Sequence, residues 1–136
     1  MKNKIKKIFT KLTPWSVGED FTSNNLSSKK EAQFVLTYKG KKIGILEYKN
    51  NKWRFWYDEQ YKKELFIAPI IDFPIVDKIY EFDELPPFFA ARIPSLNQPF
   101  HFKKLLKYNG DKNDLVSLLE IFGQKSINNP FELMLS

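Results

Sequence analysis

Residues able to do chemistry are sparse in this chain. Asp83 and Glu84 are neighbouring carboxylates, the type needed for general acid–base work, but adjacent positions face opposite ways on a strand and diverge by about 100° on a helix. They read better as charges before a helix start, where the N-terminal dipole favours them. The single histidine, His101, lies between Phe100 and Phe102, a packing or surface setting, and one imidazole cannot build a His-rich metal site. With no cysteine there is neither a disulfide nor a Cys-ligated zinc. No catalytic residue, metal ligand or cofactor site is therefore expected, and the chain reads as a non-enzyme.

The side chains that remain informative suit binding. Trp56 and Arg54 share one side of the strand pattern Trp53-Arg54-Phe55-Trp56-Tyr57, opposite Trp53, Phe55 and Tyr57. If the latter set faces the core, Trp56 points outward, and Trp and Arg are the types enriched among residues that dominate protein–protein interfaces. Arg92 is a second expected partner-binding residue, at the end of an apolar segment running from Phe82 to Ser95. Ile5, Ile8, Phe9 and Leu12 form a third set, at i, i+3, i+4 and i+7 among lysines, one face of an amphipathic helix too short to be stable without a docking surface.

The elements that position these residues follow from periodicity. Residues 1–28 read as an N-terminal amphipathic helix and linker, and residues 29–136 as one domain. Alternation begins at Ala32 and gives three short strands joined by Lys39-Gly40-Lys41-Lys42 and Lys49-Asn50-Asn51-Lys52, an antiparallel meander. Leu65 to Pro69 reads as a fourth strand, with a short strand around Ile75 to Tyr80 after it. Pro86 and Pro87 suit the first turn of a helix of about two turns ended by Pro94, with Asp83 as its cap. Pro99 to Tyr108 and Leu115 to Phe122 read as two more helices, closed by Gly110 and Gly123, and Phe131 to Leu135 as a last strand. The expected class is α+β: a small antiparallel sheet or partly closed barrel carrying about three short helices, plus the N-terminal extension.

Charge and length narrow the setting. The 136 residues suffice for one domain burying roughly 68% of its unfolded surface. Residues 1–54 carry +9 and the remainder −3, within a net charge of +6. The basic half keeps open an accessory nucleic-acid role through lysines 2 to 11 and 39 to 52. No apolar run reaches the roughly 20 residues of a membrane span, and no signal-peptide core follows the N-terminal lysines. A cytoplasmic protein with no membrane contact is expected.

Several motifs recur in a known order. They are Gly44-Ile45-Leu46 in the first hairpin, the aromatic strand Phe55-Trp56-Tyr57, Leu65 to Pro69, Pro87-Phe88-Phe89-Ala90-Ala91-Arg92-Ile93-Pro94, and the Asp114 to Gly123 helix followed by Phe131 to Leu135. Over residues 38–135 this series resembles the N-terminal subdomain of HipA-type serine/threonine kinases, the toxins of bacterial toxin–antitoxin modules. Ser126-Ile127-Asn128-Asn129-Pro130 departs from the glycine-alanine turn usual there, and nothing before residue 33 has a counterpart. Asp72-Phe73-Pro74 echoes a kinase Asp-Phe-Gly without its glycine, and 136 residues cannot hold a kinase fold. A detached copy of the subdomain is similar to the HipS antitoxins of three-gene HipBST modules. That resemblance implies a HipT-like kinase toxin as partner, neutralised by a subdomain supplied in trans. It also implies a helix-turn-helix HipB-like protein in a ternary complex, DNA contacted only indirectly, and no cofactor.

Overall fold

The computed structural model of the chain describes residues 31–127 and 129–136. The alternating segments form β1 (Ala32–Tyr38), β2 (Lys41–Lys49) and β3 (Lys52–Tyr57), and their turns explain themselves. Gly40 takes φ 82°, and Asn50 and Asn51 take φ 53° and 62°, the left-handed pair that suits a tight hairpin turn. A five-stranded antiparallel sheet results, in the order β4-β3-β2-β1-β5, with β4 (Tyr80–Phe82) and β5 (Phe131–Leu135) at its two edges. Both edges remain, so the sheet is open rather than a closed barrel.

The helices among the described residues are α1 (Glu59–Glu64), α2 (Pro87–Ala90), α3 (Pro99–Lys107) and α4 (Leu115–Phe122). Helix α1 lies between β3 and the Leu65 segment, where periodicity gave no element. Asp58 caps it, its carboxylate accepting from the N–H groups of Gln60 and Tyr61. Leu65 ends it at φ 45° with its N–H on the Tyr61 carbonyl at 2.8 Å, so the expected fourth strand over Leu65 to Pro69 does not form. The expected proline-bounded helix is shorter than two turns. Pro86 occupies the cap position without a side-chain bond, and the Asp83 carboxylate pairs with Lys52 instead of capping.

One face of the sheet is the core. Phe34, Leu36, Leu46, Trp53, Phe55 and Tyr57 are buried on it, each contributing roughly 1.5–3 kcal/mol by burial. Phe73 and Phe89 pack over Phe55, with ring centroids 4.6 and 5.6 Å away, so the Phe-Phe segment of α2 spends Phe89 on the core. Gly44 is required opposite Tyr57: a Cβ there would lie 2.6 Å from the Trp56 carbonyl oxygen. The long connection from Leu65 to Ile79 has no ladder to satisfy its backbone, and buried tyrosines do so. Tyr57 Oη donates to the Phe73 carbonyl at 2.6 Å and accepts from the Ile70 N–H at 3.0 Å. Tyr61 Oη donates to the Ile67 carbonyl, and Tyr80 Oη accepts from the Ile75 N–H. Burial pushes the Tyr57 phenol up to about 12. Apart from Asn113–Leu115, the described residues form one compact unit.

Candidate functional site

The sheet's second face carries Arg54 and Trp56, and strand register decides which side chains stand beside them. Val35 lies opposite Met134 on β5 and opposite Ile45 on β2, and Ile45 lies opposite Trp56 on β3. Directly opposed residues share a face. Met134, Val35, Ile45 and Trp56 therefore form one continuous apolar row across four strands. Ile45 is buried between its neighbours, Val35 and Trp56 are half-buried, and Met134 is 51% exposed.

A polar row runs beside it. Gln33, Glu47, Arg54 and Glu81 are opposed in succession across β1, β2, β3 and β4. Arg54 Nε donates to Glu81 Oε2 at 3.1 Å, and its Nη1 lies 4.0 Å from Glu47 Oε1. The expected outward direction of Arg54 and Trp56 is what the structure shows, since Trp53, Phe55 and Tyr57 are buried on the core side. What the residue types did not reveal is that Arg54 is already held by two carboxylates. It acts as the ordered rim of the row rather than as a free cation.

Arg92, expected to meet a partner, is engaged inside the domain. It is only 5% exposed, with Nη1 3.1 Å from the Gly123 carbonyl oxygen and Nη2 3.0 Å from both Asn129 Oδ1 and the Phe131 carbonyl oxygen. Its guanidinium also sits 5.8 Å from the Phe88 ring centroid, and burial pushes its pKa down. The acceptors are main-chain carbonyls at the end of α4 and the start of β5 together with the Asn129 side chain, so Arg92 fastens the end of α2 to that connection. The expected anchors Ile5, Ile8, Phe9 and Leu12 lie outside the described residues.

Val35, Ile45 and Met134 are the residues of this candidate face that sequence reasoning missed. Parity along β1 and β2 carries the signal for the first two, because Val35 alternates with Phe34 and Leu36. Aligning them with Trp56 needs the register, and a bulge between Leu36 and Thr37 shifts it.

The arrangement offers apolar contact framed by fixed charge, which suits protein recognition more than bond-making. Among the described residues no group of three or more His, Cys, Asp or Glu is disposed to hold a metal ion, and no helix is long and apolar enough to cross a membrane. Residues 35–127, more than half the chain, match the HipA N-terminal domain. The chain belongs to that family. Among curated proteins none matches it well enough to serve as a relative. In the HipA N-terminal domain seen here, the matched segment contains β2 and β3, all of the Leu65 to Ile79 connection, and α1 through α4. The apolar row thus lies within the matched segment except for Met134, which β5 adds.

Proposed function

We propose that this HipA N-terminal domain acts as an antitoxin of the HipS kind: it binds a HipA- or HipT-type serine/threonine kinase and holds it inactive by supplying the N-terminal subdomain in trans. The observation that carries this reading is the apolar row Met134, Val35, Ile45 and Trp56 with its charged rim, on a chain of that family. An apolar row that ends in an aromatic and is bordered by ordered ion pairs has the anatomy of an interface core and rim. Trp56 is the anchor, and the Arg54–Glu81 pair fixes orientation and excludes mismatched partners by charge. Inhibition is then steric: the bound domain obstructs the kinase cleft or keeps its lobes from closing.

On this reading the protein is a non-enzymatic member of a cytoplasmic complex. A HipB-like helix-turn-helix protein is the third component and makes the DNA contacts. The test is co-expression with the two neighbouring reading frames, followed by identification of what co-purifies. A kinase-sized partner whose growth arrest is relieved by this chain supports the proposal. A co-expressed kinase that neither binds it nor loses toxicity overturns it.

A further inference from the structure

Helix α3 presents a second surface, separate from the sheet face and independent of the kinase reading. Its inner side is settled: Leu105 is buried, His101 faces the Phe122 ring at 6.1 Å, and Lys104 Nζ lies 5.4 Å from that same ring centroid. Gly110 seats the end of the helix. Its N–H bonds the Leu105 carbonyl at 2.9 Å, and a Cβ there would lie 2.3 Å from Ile121 Cδ1 and 2.4 Å from Leu105 Cδ1. Only glycine permits this close seating of the helix end.

The outer side of the helix carries two parallel i, i+4 stripes. Phe102 and Leu106 are 41% and 58% exposed, and beside them stand Lys103 and Lys107, with Phe100 at 73% exposure beyond. Scattered exposed apolar residues are ordinary, but here the lysine stripe is flanked on both sides of the helix's outer arc, by Phe102 and Leu106 on one side and Phe100 on the other. The charge on the helix itself has one sign. No Asp or Glu occurs between Glu84 and Asp111, and Lys103 and Lys107 have no ion pair with a described carboxylate.

We infer that the outer face of α3 docks an acidic amphipathic helix of a partner protein, its apolar ridge against Phe102 and Leu106 and its carboxylates against Lys103 and Lys107. A ridge of i, i+4 side chains is what packs against another such ridge. A second copy of this chain does not fit, because α3 against α3 sets lysine on lysine. A nucleic-acid strand uses the lysines but leaves Leu106 without a role, since an aliphatic side chain offers no stacking platform.

The test is an amide-resonance titration of the full chain. The probe is a synthetic helical peptide of about five turns, roughly 18 residues, with leucines on one face and glutamates elsewhere. The controls are the same composition scrambled off one face, an oligothymidylate of similar length, and phosphatidylserine vesicles. Shifts confined to residues 99–108, seen with the helical peptide alone and weakened about tenfold or more in Phe102→Ser/Leu106→Ser, support the inference. Equal response to the scrambled peptide, shifts spread over the lysines of β2 and β3, or stronger engagement of α3 by oligonucleotide or vesicle each overturn it. Both substituted positions are solvent-facing, and an unchanged unfolding midpoint confirms that the double variant keeps its fold.

Discussion

Replacing Arg92 by methionine keeps the bulk of the side chain and removes every hydrogen bond it makes. Three acceptors within 3.1 Å lose their donor: the Gly123 and Phe131 carbonyls and Asn129 Oδ1. Asn129 Oδ1 still accepts from the Phe131 N–H at 3.1 Å, so its loss is partial. The Gly123 carbonyl belongs to a buried residue, and stranding such a group costs about 1–3 kcal/mol, with a smaller share for the half-buried Phe131. Against this stands relief of a buried charge whose Nε has no partner. Exchanging buried charge for apolar bulk is neutral or stabilising only when the partners are exchanged too, and backbone carbonyls cannot be. The net expectation is a loss of about 2–3 kcal/mol, a large part of the roughly 5–15 kcal/mol that holds a domain together. In urea the midpoint then falls by about 1–2 M at an unchanged slope. Amide exchange adds a local signature, because the Leu133 N–H bonds the Gln124 carbonyl beside the Arg92 contacts and loses protection ahead of the β2–β3 amides. A loss under about 0.5 kcal/mol, or uniform exchange across the sheet, would refute the reasoning.

Two further outcomes follow from the connection between β3 and β4. Tyr57→Phe removes the bonds to Phe73 and Ile70 and is expected to cost about 1–2 kcal/mol at pH 7, measured by urea unfolding. The Tyr57 phenol is pushed by burial up to about 12, against an unfolded value near 10, so its neutral form stabilises the fold fully below pH 10 and that share is lost as pH rises from 10 to 12. The gap between wild type and Tyr57→Phe should therefore narrow at pH 11, and a constant gap would contradict the assignment. Leu65→Gly relieves a left-handed φ of 45° at the α1 terminus and is expected to leave stability unchanged or raise it by up to about 1 kcal/mol, while Leu65→Ala gains nothing. A glycine variant that loses more than about 1 kcal/mol would show that the half-exposed side chain outweighs the strain.

What the sequence disclosed divides along the range of the forces involved. The meander, its two turns and the inward direction of Trp53, Phe55 and Tyr57 were legible because alternation and turn residues are local. Leu65 to Pro69 looked like a strand because its apolar run is strand-sized. Its Ile67 carbonyl accepts instead from the Tyr61 hydroxyl, and the Tyr57 hydroxyl takes the N–H of Ile70 just beyond it, partners that periodicity does not display. Arg92 looked like a surface anchor for the same reason: its acceptors stand 31 to 39 residues further along the chain. Trp56 and Arg54 were placed on the correct face by parity alone. The row that gives Trp56 its setting depends on pairing with β2, β1 and β5, and the carboxylates that hold Arg54 come from β2 and β4. The Phe-Phe segment was recognised as a helix but overestimated in length, since Pro94 marks where a helix cannot continue rather than where this one ends at Ala90.

The central claim is that the Trp56 face of this HipA N-terminal domain binds and silences a kinase. Binding of the neighbouring kinase to wild type and Trp56→Ala, followed by calorimetry and by rescue of growth in the same strains, tests it most directly. The expected result is a loss of about 2 kcal/mol, roughly thirtyfold in Kd, with neutralisation failing while the variant stays folded, its stability lowered by about 1–2 kcal/mol for the half-buried indole. A Trp56→Ala variant that binds the kinase as tightly and still suppresses its toxicity would contradict the account.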